Sequence, residues 1–164
     1  MPAVQEVHMY APDTTTIATP IGAVTIQGAD DVVHSICLAG AGELRAGQAA
    51  AVREAAAQLT AYFAGRLRAF DLPLAAAASP RGAVLREAIV AIGYGDTASY
   101  GAIARQIGSS ARALGQACAR NPFPLVVPCH RVLQAGGVLG PYSAGEGPVT
   151  KRWLLAFEGA AASV

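Results

Sequence analysis

One change of periodicity limits what this chain can fold into. Up to Leu38 its apolar residues alternate with polar ones and many are β-branched; from Ala46 they fall at helical spacing. Thr14 to Thr19 reads as a strand, Pro20-Ile21-Gly22 as a turn, Ala23 to Gln27 as the return strand and Val32 to Leu38 as a third. Gly40 to Gly42 breaks the pattern. Ala50, Val52, Leu59, Tyr62 and Phe63 then share one stripe of a helix that Gly65 ends. Phe70 to Leu74 is expected to add a short strand. Strands followed by helices give an α+β fold: a small N-terminal antiparallel sheet with a helix, then a mostly helical C-terminal part. His34 and Cys37 read as structural.

Leu74 to Ser79 is the expected linker and divides the chain into units 1–78 and 79–164. Ser79-Pro80 is an N-cap followed by proline at the first helical position. Val84, Leu85, Ile89 and Ile92 give that helix an apolar face, and Gly93-Tyr94-Gly95 stops it. Ser99 caps a helix from Tyr100 to Ile107, Gly108-Ser109-Ser110 turns the chain, and Ala111 to Ala119 is the next helix. Two short helices around a glycine-bearing turn make a helix-turn-helix pattern, which any αα-hairpin shares. Pro148 opens a last helix with Trp153, Leu154, Leu155 and Phe157 on its apolar stripe. Glu158 closes it. A carboxylate at a helix C-terminus opposes the macrodipole, so a partner such as histidine is expected there.

Hydrophobic residues make up 53% of the 164, which supports a core and excludes a disordered chain. No apolar run approaches the ~20 residues of a membrane span. Met1 to Ala11 lacks an apolar signal region, so no leader and no membrane attachment are expected. Cys37, Cys118 and Cys129 are an odd number without C-x-x-C, which fits a reducing, cytoplasmic setting. No paired ligand motif is present, so neither metal nor cofactor is expected. The net charge of +1 is unevenly shared. Residues 1–78 hold four basic against seven acidic residues, and residues 79–164 hold eight against four, so an anionic ligand would meet the second half.

The chemistry concentrates in Asn-Pro-Phe-Pro-Leu-Val-Val-Pro-Cys-His-Arg-Val, from Asn121 to Val132. Leu125-Val126-Val127 reads as strand-like, and Pro128 fixes φ and withholds an N–H before Cys129. His130 and Arg131 follow at once. A free thiol has a pKa near ~8.5, and neighbouring cations would lower it and populate the nucleophilic thiolate.

Pro128-Cys129-His130-Arg131-Val132, with Asn121-Pro122 before it, resembles the active-site signature of the O6-alkylguanine-DNA alkyltransferases. Members of that family repair alkylated DNA by moving the alkyl group onto their own cysteine. The resemblance extends through Ser99-Tyr100-Gly101, Ala111-Arg112-Ala113-Leu114-Gly115, Tyr142-Ser143-Ala144-Gly145 and Trp153 to Gly159. It is diffuse before residue 79, chiefly Thr19-Pro20-Ile21-Gly22 and Ala61-Tyr62-Phe63-Ala64-Gly65. It implies a ribonuclease H-like N-terminal domain and a DNA-binding, catalytic C-terminal domain.

The resemblance implies a mechanism as well. Cys129 would be the nucleophile, His130 its base through a water, and Glu158 the support of the imidazole. Asn121 would brace the loop or polarise the thiolate, and Tyr100 would donate a proton to the leaving purine. The second helix would enter the minor groove of double-stranded DNA carrying O6-alkylguanine, with O4-alkylthymine a further candidate. Its small residues Ala111, Ala113 and Gly115 allow close approach, Ser99 and Arg120 add contacts, and Arg112 would fill the gap left by the everted nucleotide. Tyr142, Ser143, Pro124 and Val132 would line the pocket. The protein would act once, as a monomer. Where many relatives carry Phe and Trp, this chain has Arg81 and Arg86. Gly93 replaces a frequent proline, and Ala144 a frequent glycine, which would narrow the pocket. Two other readings stand beside this one. The first is a helix-turn-helix DNA-binding regulator without alkyl transfer. The second is a papain-like Cys/His hydrolase, disfavoured because such Cys and His lie far apart in sequence.

Overall fold

The computed structural model describes residues 12–38, 40 and 42–160; the segment Met1 to Ala11, expected to carry no leader, lies outside the described residues. Strands β1 (Asp13–Thr19), β2 (Gly22–Gly28) and β3 (Val33–Leu38) form an antiparallel sheet in the order β1-β2-β3. Thr19 pairs with Gly22, so Pro20 and Ile21 make a two-residue connection. Gly22 takes φ 101°, a value open to glycine and strained for other residues. The alternation read from the sequence is the observed one. Val24, Ile26, Val33, Ile36 and Leu38 face the core, while Gln27 and Cys37 face outward.

Helix α1 (Ala50–Phe63) covers that face with Ala51, Val52, Ala55, Leu59 and Tyr62. It begins four residues later than the apolar spacing suggests, because its start is set by carboxylates from the sheet. Asp13 Oδ2 accepts from the Gln48 and Ala49 amides at 2.6 Å each, and Asp30 Oδ1 from the Ala50 amide at 2.9 Å. These satisfy amides that a helix start leaves unpaired, and Ala49 has no capping group of its own. Gly65, at φ 76°, ends the helix as expected. Phe70 to Leu74 is not a strand. Val33 bonds there only through its own amide to the Pro73 carbonyl (2.7 Å) and its carbonyl to the Ala75 amide (2.9 Å). Pro73 lacks the N–H that a longer ladder would use.

In the second unit the caps read at Ser79 and Ser99 are observed, and Ser110 adds a third. Ser79 accepts from the Gly82 amide (3.0 Å), Ser99 from Ala102 (3.1 Å) and Ser110 from Ala113 (3.1 Å). They start α2 (Pro80–Val90), α3 (Tyr100–Gln106) and α4 (Ala111–Ala119). A short parallel pair, β4 (Ala98–Ser99) with β5 (Val132–Leu133), was not legible in sequence. It ties the start of α3 to the chain just after Cys129. Helix α5 (Pro148–Phe157) closes the unit.

The two units share one apolar core. Tyr62 and Phe63 of α1 meet Trp153 and Phe157 of α5, with ring centroids 5.4 Å apart for Tyr62–Phe157 and 6.2 Å for Phe63–Trp153. The Ile36 amide of β3 donates to the Pro122 carbonyl at 2.8 Å. Arg81 and Arg86 of α2 both find partners in the fold. Arg86 reaches the Ala75 carbonyl (2.8 Å) and lies 5.2 Å over the Phe123 ring, and Arg81 reaches the Gly108 carbonyl (3.2 Å).

Candidate active site

Leu125-Val126-Val127 is a buried turn and not a strand end. Leu125 adopts φ 76°, the one non-glycine residue with positive φ among the described residues, and its side chain is buried in the core. Such a backbone costs on the order of 1 kcal/mol or more and is held by its surroundings. Pro128, at φ −81° and ψ 65°, forms an inverse γ-turn, in which the Cys129 amide donates to the Val127 carbonyl at 2.8 Å. Cys129 to Arg131 then make one 3-10 turn. Proline thus aims the cysteine by bending the chain, where the sequence suggested a strand exit.

Asn121 holds this bend. Its Nδ2 donates to the Val127 carbonyl (2.8 Å) and to Cys129 Sγ (3.0 Å), and its Oδ1 accepts from the Phe123 amide (2.9 Å). Asn121 therefore touches both the bend and the cysteine sulfur.

His130 and Arg131 do not point their charge at the thiol, as the sequence suggested; both turn to Glu158. His130 Nε2 lies 3.0 Å from Glu158 Oε2. Arg131 grips both carboxylate oxygens, Nε to Oε1 at 2.8 Å and Nη2 to Oε2 at 3.0 Å, and its Nη1 donates to the Ile92 carbonyl at 2.7 Å. Tyr62 Oη, from the N-terminal unit, donates to Oε2 at 2.7 Å. Burial works to raise the pKa of Glu158. The donors from His130, Arg131 and Tyr62 overcome it and hold the carboxyl down at about 2. Burial pushes His130 down, opposed by Glu158, so the imidazole is neutral at neutral pH. Its Nδ1 is buried with no hydrogen-bond partner.

The cation that acts on the thiol is Lys151, which sequence reading missed. It is completely buried in α5, and its Nζ donates to the carbonyls of Val132 (2.7 Å) and Pro141 (3.1 Å), with no carboxylate on it. Burial lowers its pKa to about 8, opposed by Cys118 and Cys129. The sequence held one signal: Lys151 precedes Leu154 and Leu155 at helical spacing, on the face read as apolar. Cys118, in the last turn of α4, lies against Cys129. The hydrogen bond to Cys118, followed by burial, pushes the Cys129 thiol well up, with Asn121 and Lys151 pulling the other way. The lowered resting pKa expected from His130 and Arg131 is therefore not found.

Cys129 opens onto a cavity of about 140 Å³. Tyr142 and Ser143 line it as the sequence suggested, together with Tyr100, Pro141 and, from α4, Gly115, Cys118 and Ala119. Pro124 and Val132 are buried but do not line it, and neither does Ala144. Burial raises Tyr100 to about 12 and Tyr142 further still, so both phenols are protonated donors. Tyr142 Oη has no partner.

Helix α4 has two faces at this site. Gly115, Cys118 and Ala119 face the cavity, while Ala111, Arg112 and Arg120 are exposed and Ala113 is half-buried. A Cβ built on Gly115 would meet nothing within 4 Å. Ser99 uses its hydroxyl to cap α3 and lies half-buried.

Comparison with known proteins bears on both units. Residues 82–160 match the family profile "6-O-methylguanine DNA methyltransferase, DNA binding domain", and residues 14–76 its "ribonuclease-like domain". The chain is 41% identical over 150 residues to a methylated-DNA–protein-cysteine methyltransferase of Mycolicibacterium paratuberculosis, covering 87% of this chain and 90% of that one. It is 49% identical over 111 residues to a DNA base-flipping protein of Thermus thermophilus, covering 66% and 72%. Its fold is similar to the crystal structure of the Mycobacterium tuberculosis O6-methylguanine methyltransferase, with TM-score 0.77 and 36% identity over 94% of this chain and 96% of that one. It is likewise similar to that protein's complex with DNA, with TM-score 0.76 and 38% identity over 88% and 92%.

Proposed function

The chain belongs to the 6-O-methylguanine DNA methyltransferase family, and from that premise we propose that Cys129 is the alkyl acceptor and that residues 79–164 form the DNA-binding, catalytic domain beside an N-terminal domain of residues 1–78. The protein repairs DNA by taking an alkyl group from O6-alkylguanine, and double-stranded DNA is its partner. The observation that carries the residue assignment is Cys129 opening onto the cavity with the Asn121 amide 3.0 Å from its sulfur.

Alkyl transfer needs a thiolate, access to the alkyl carbon and a proton for the departing guanine. His130 Nδ1, buried and unpartnered, is the acceptor for the thiol proton through one water. Glu158 on Nε2 fixes the tautomer that leaves Nδ1 free. Lys151 and the Asn121 amide stabilise the thiolate as it forms. Sulfur then bonds to the alkyl carbon as the carbon–O6 bond breaks. Tyr100, protonated and on the cavity wall, supplies a proton to the purine, and the free Tyr142 hydroxyl is positioned to bind the everted base. The thioether has no leaving route, so each protein acts once. The resting thiol is protonated, which favours slow reaction until the base fills the cavity.

The nucleotide leaves the stack at a cost of a few kcal/mol. Arg112, long and exposed among small residues on α4, offsets that cost from the minor groove. Arg112→Ala is expected to slow repair of duplex DNA and leave the slow reaction of a free alkylated base almost unchanged. Equal loss on both substrates would remove Arg112 from the finger role. Cys129→Ser is expected to bind alkylated duplex and transfer nothing. A second reading, base flipping without transfer, is favoured by the raised pKa of the Cys129 thiol and the kinship to a base-flipping protein. It predicts DNA binding with unchanged protein mass. We read the protein as cytoplasmic from its three free thiols; no described helix is long and apolar enough to cross a membrane.

A further inference from the structure

Alkyl transfer uses one thiol, but the cavity has two. Cys118 and Cys129 line the same 140 Å³ space, from the last turn of α4 and from the 3-10 turn. Both are nearly buried, at 7% and 4% exposure, so the cavity is their route to small reagents. A space that receives a purine also receives a hydroperoxide. Cys37 differs: it lies exposed on β3, away from the cavity. Nothing in the alkyl-transfer chemistry uses Cys118.

We propose that Cys118 and Cys129 are a redox pair, and that a hydroperoxide entering the cavity joins them in a reversible disulfide that withdraws the acceptor from repair.

The thiolate is the species that reacts with peroxide. Cys118 is the better thiolate, since the neighbouring Cys129 thiol and the charge of Lys151 both favour its anion. Its sulfur bonds to one peroxide oxygen as the O–O bond breaks, giving Cys118 sulfenic acid, and the other oxygen leaves as hydroxide. The Cys129 sulfur then attacks the sulfenic sulfur. The S–S bond forms, the S–O bond breaks and, with the Cys129 proton, the oxygen leaves as water. The two sulfurs together lose two electrons, which reduce the peroxide. The cross-link ties the DNA-facing helix α4 to the nucleophile's turn. Unlike the thioether of repair, it is undone by a dithiol reductant.

Only the functional consequence rests on Cys129 being the alkyl acceptor; the cross-link is read by mass. Full-length protein in a Cys37→Ser background is treated with hydrogen peroxide. Samples go to intact-mass and peptide mapping and to alkyl transfer from methylated duplex. The expected result is a protein lighter by two hydrogens, a linked peptide pair containing Cys118 and Cys129, and loss of transfer that dithiothreitol restores. Adding Cys118→Ser, with each variant compared to its own untreated sample, is expected to abolish the link and let Cys129 pass to irreversible oxidation. The proposal is overturned if Cys129 oxidises without the link in the protein that retains Cys118. It is also overturned if neither thiol reacts at peroxide that oxidises a free dithiol, or if Cys118→Ser shows the same reversible loss. A link formed in a protein that transfers no alkyl group supports the pair and instead removes Cys129 as acceptor.

Discussion

In the N-terminal unit the buried residues among the described ones are apolar apart from Thr15, Thr16 and the hydroxyl of Tyr62. In the C-terminal unit His130, Arg131, Lys151 and Glu158 are all buried. Burying an ion costs several kcal/mol unless partners offset it, so a chain retains such groups where they do more than hold the fold. Two of the four, His130 and Arg131, converge on the carboxylate of a third, Glu158. The fourth, Lys151, has only carbonyls and lies near the thiols. The first unit thus resembles a scaffold and the second a site, and Tyr62 joins them. Its hydroxyl is the N-terminal unit's single direct contribution to the Glu158 cluster among the described residues. Elsewhere Tyr62 is packing, with Phe63, Phe70, Tyr94 and Phe157 around its ring.

If that contrast is right, the largest effect belongs to Glu158. Glu158→Gln leaves Arg131 buried without its anion. It is expected to lower stability by about 3–5 kcal/mol and to reduce alkyl transfer in the protein that remains folded. Denaturant unfolding and single-turnover kinetics measure the two. The pH dependence has a fixed sign. The folded carboxyl titrates at about 2 against an ordinary 4.5, so its contribution is present above 4.5 and is lost as pH falls toward 2. The Gln variant should lack that acid slope. An unchanged slope would mean that Glu158 is not the ion that holds the cluster.

Leu59→Ala tests the scaffold side. Leu59 is fully buried between α1 and the sheet, so truncation should lower stability by about 2–5 kcal/mol and leave transfer per folded molecule unaltered. A transfer rate that fell with stability would erase the distinction between the units.

Tyr62→Phe should have a smaller effect. It keeps the ring contacts and removes one donor to a buried anion, about 1.5–3 kcal/mol by the usual scale of charged hydrogen bonds. The relieved carboxylate becomes a stronger partner for His130, whose pKa rises. The other charges that face His130 are Arg131 and Lys151, and the substitution leaves both in place. The limb of the rate profile that needs neutral imidazole should therefore move to higher pH. An unshifted profile with lowered stability would make Tyr62 a packing residue only.

Sequence was most legible where structure is local. The turn after Thr19 and the caps at Ser79 and Ser99 depend on residues within a few positions of each other, and they are found where the sequence placed them, with Gly22 already in the return strand. The start of α1 was not legible, because its caps come from Asp13 and Asp30 in the sheet. Leu125-Val126-Val127 misled because an apolar run looks alike as a strand and as a buried turn. At the site, the matched motifs pointed to Cys129, His130, Asn121, Glu158 and Tyr100. Tyr62 was read as core, since nothing in its spacing shows that its hydroxyl needs an anion. Arg131 was read as a charge beside the thiol, since adjacency in sequence does not show which way a side chain turns.

The measurement that bears most directly on the account is the mass of the intact protein after incubation with duplex DNA carrying O6-methylguanine, followed by peptide mapping. One methyl group per molecule, on the Cys129 peptide alone, with no further turnover, is the predicted result. Methyl on Cys118, repeated turnover by each molecule, or an unmodified protein bound to its DNA would contradict it.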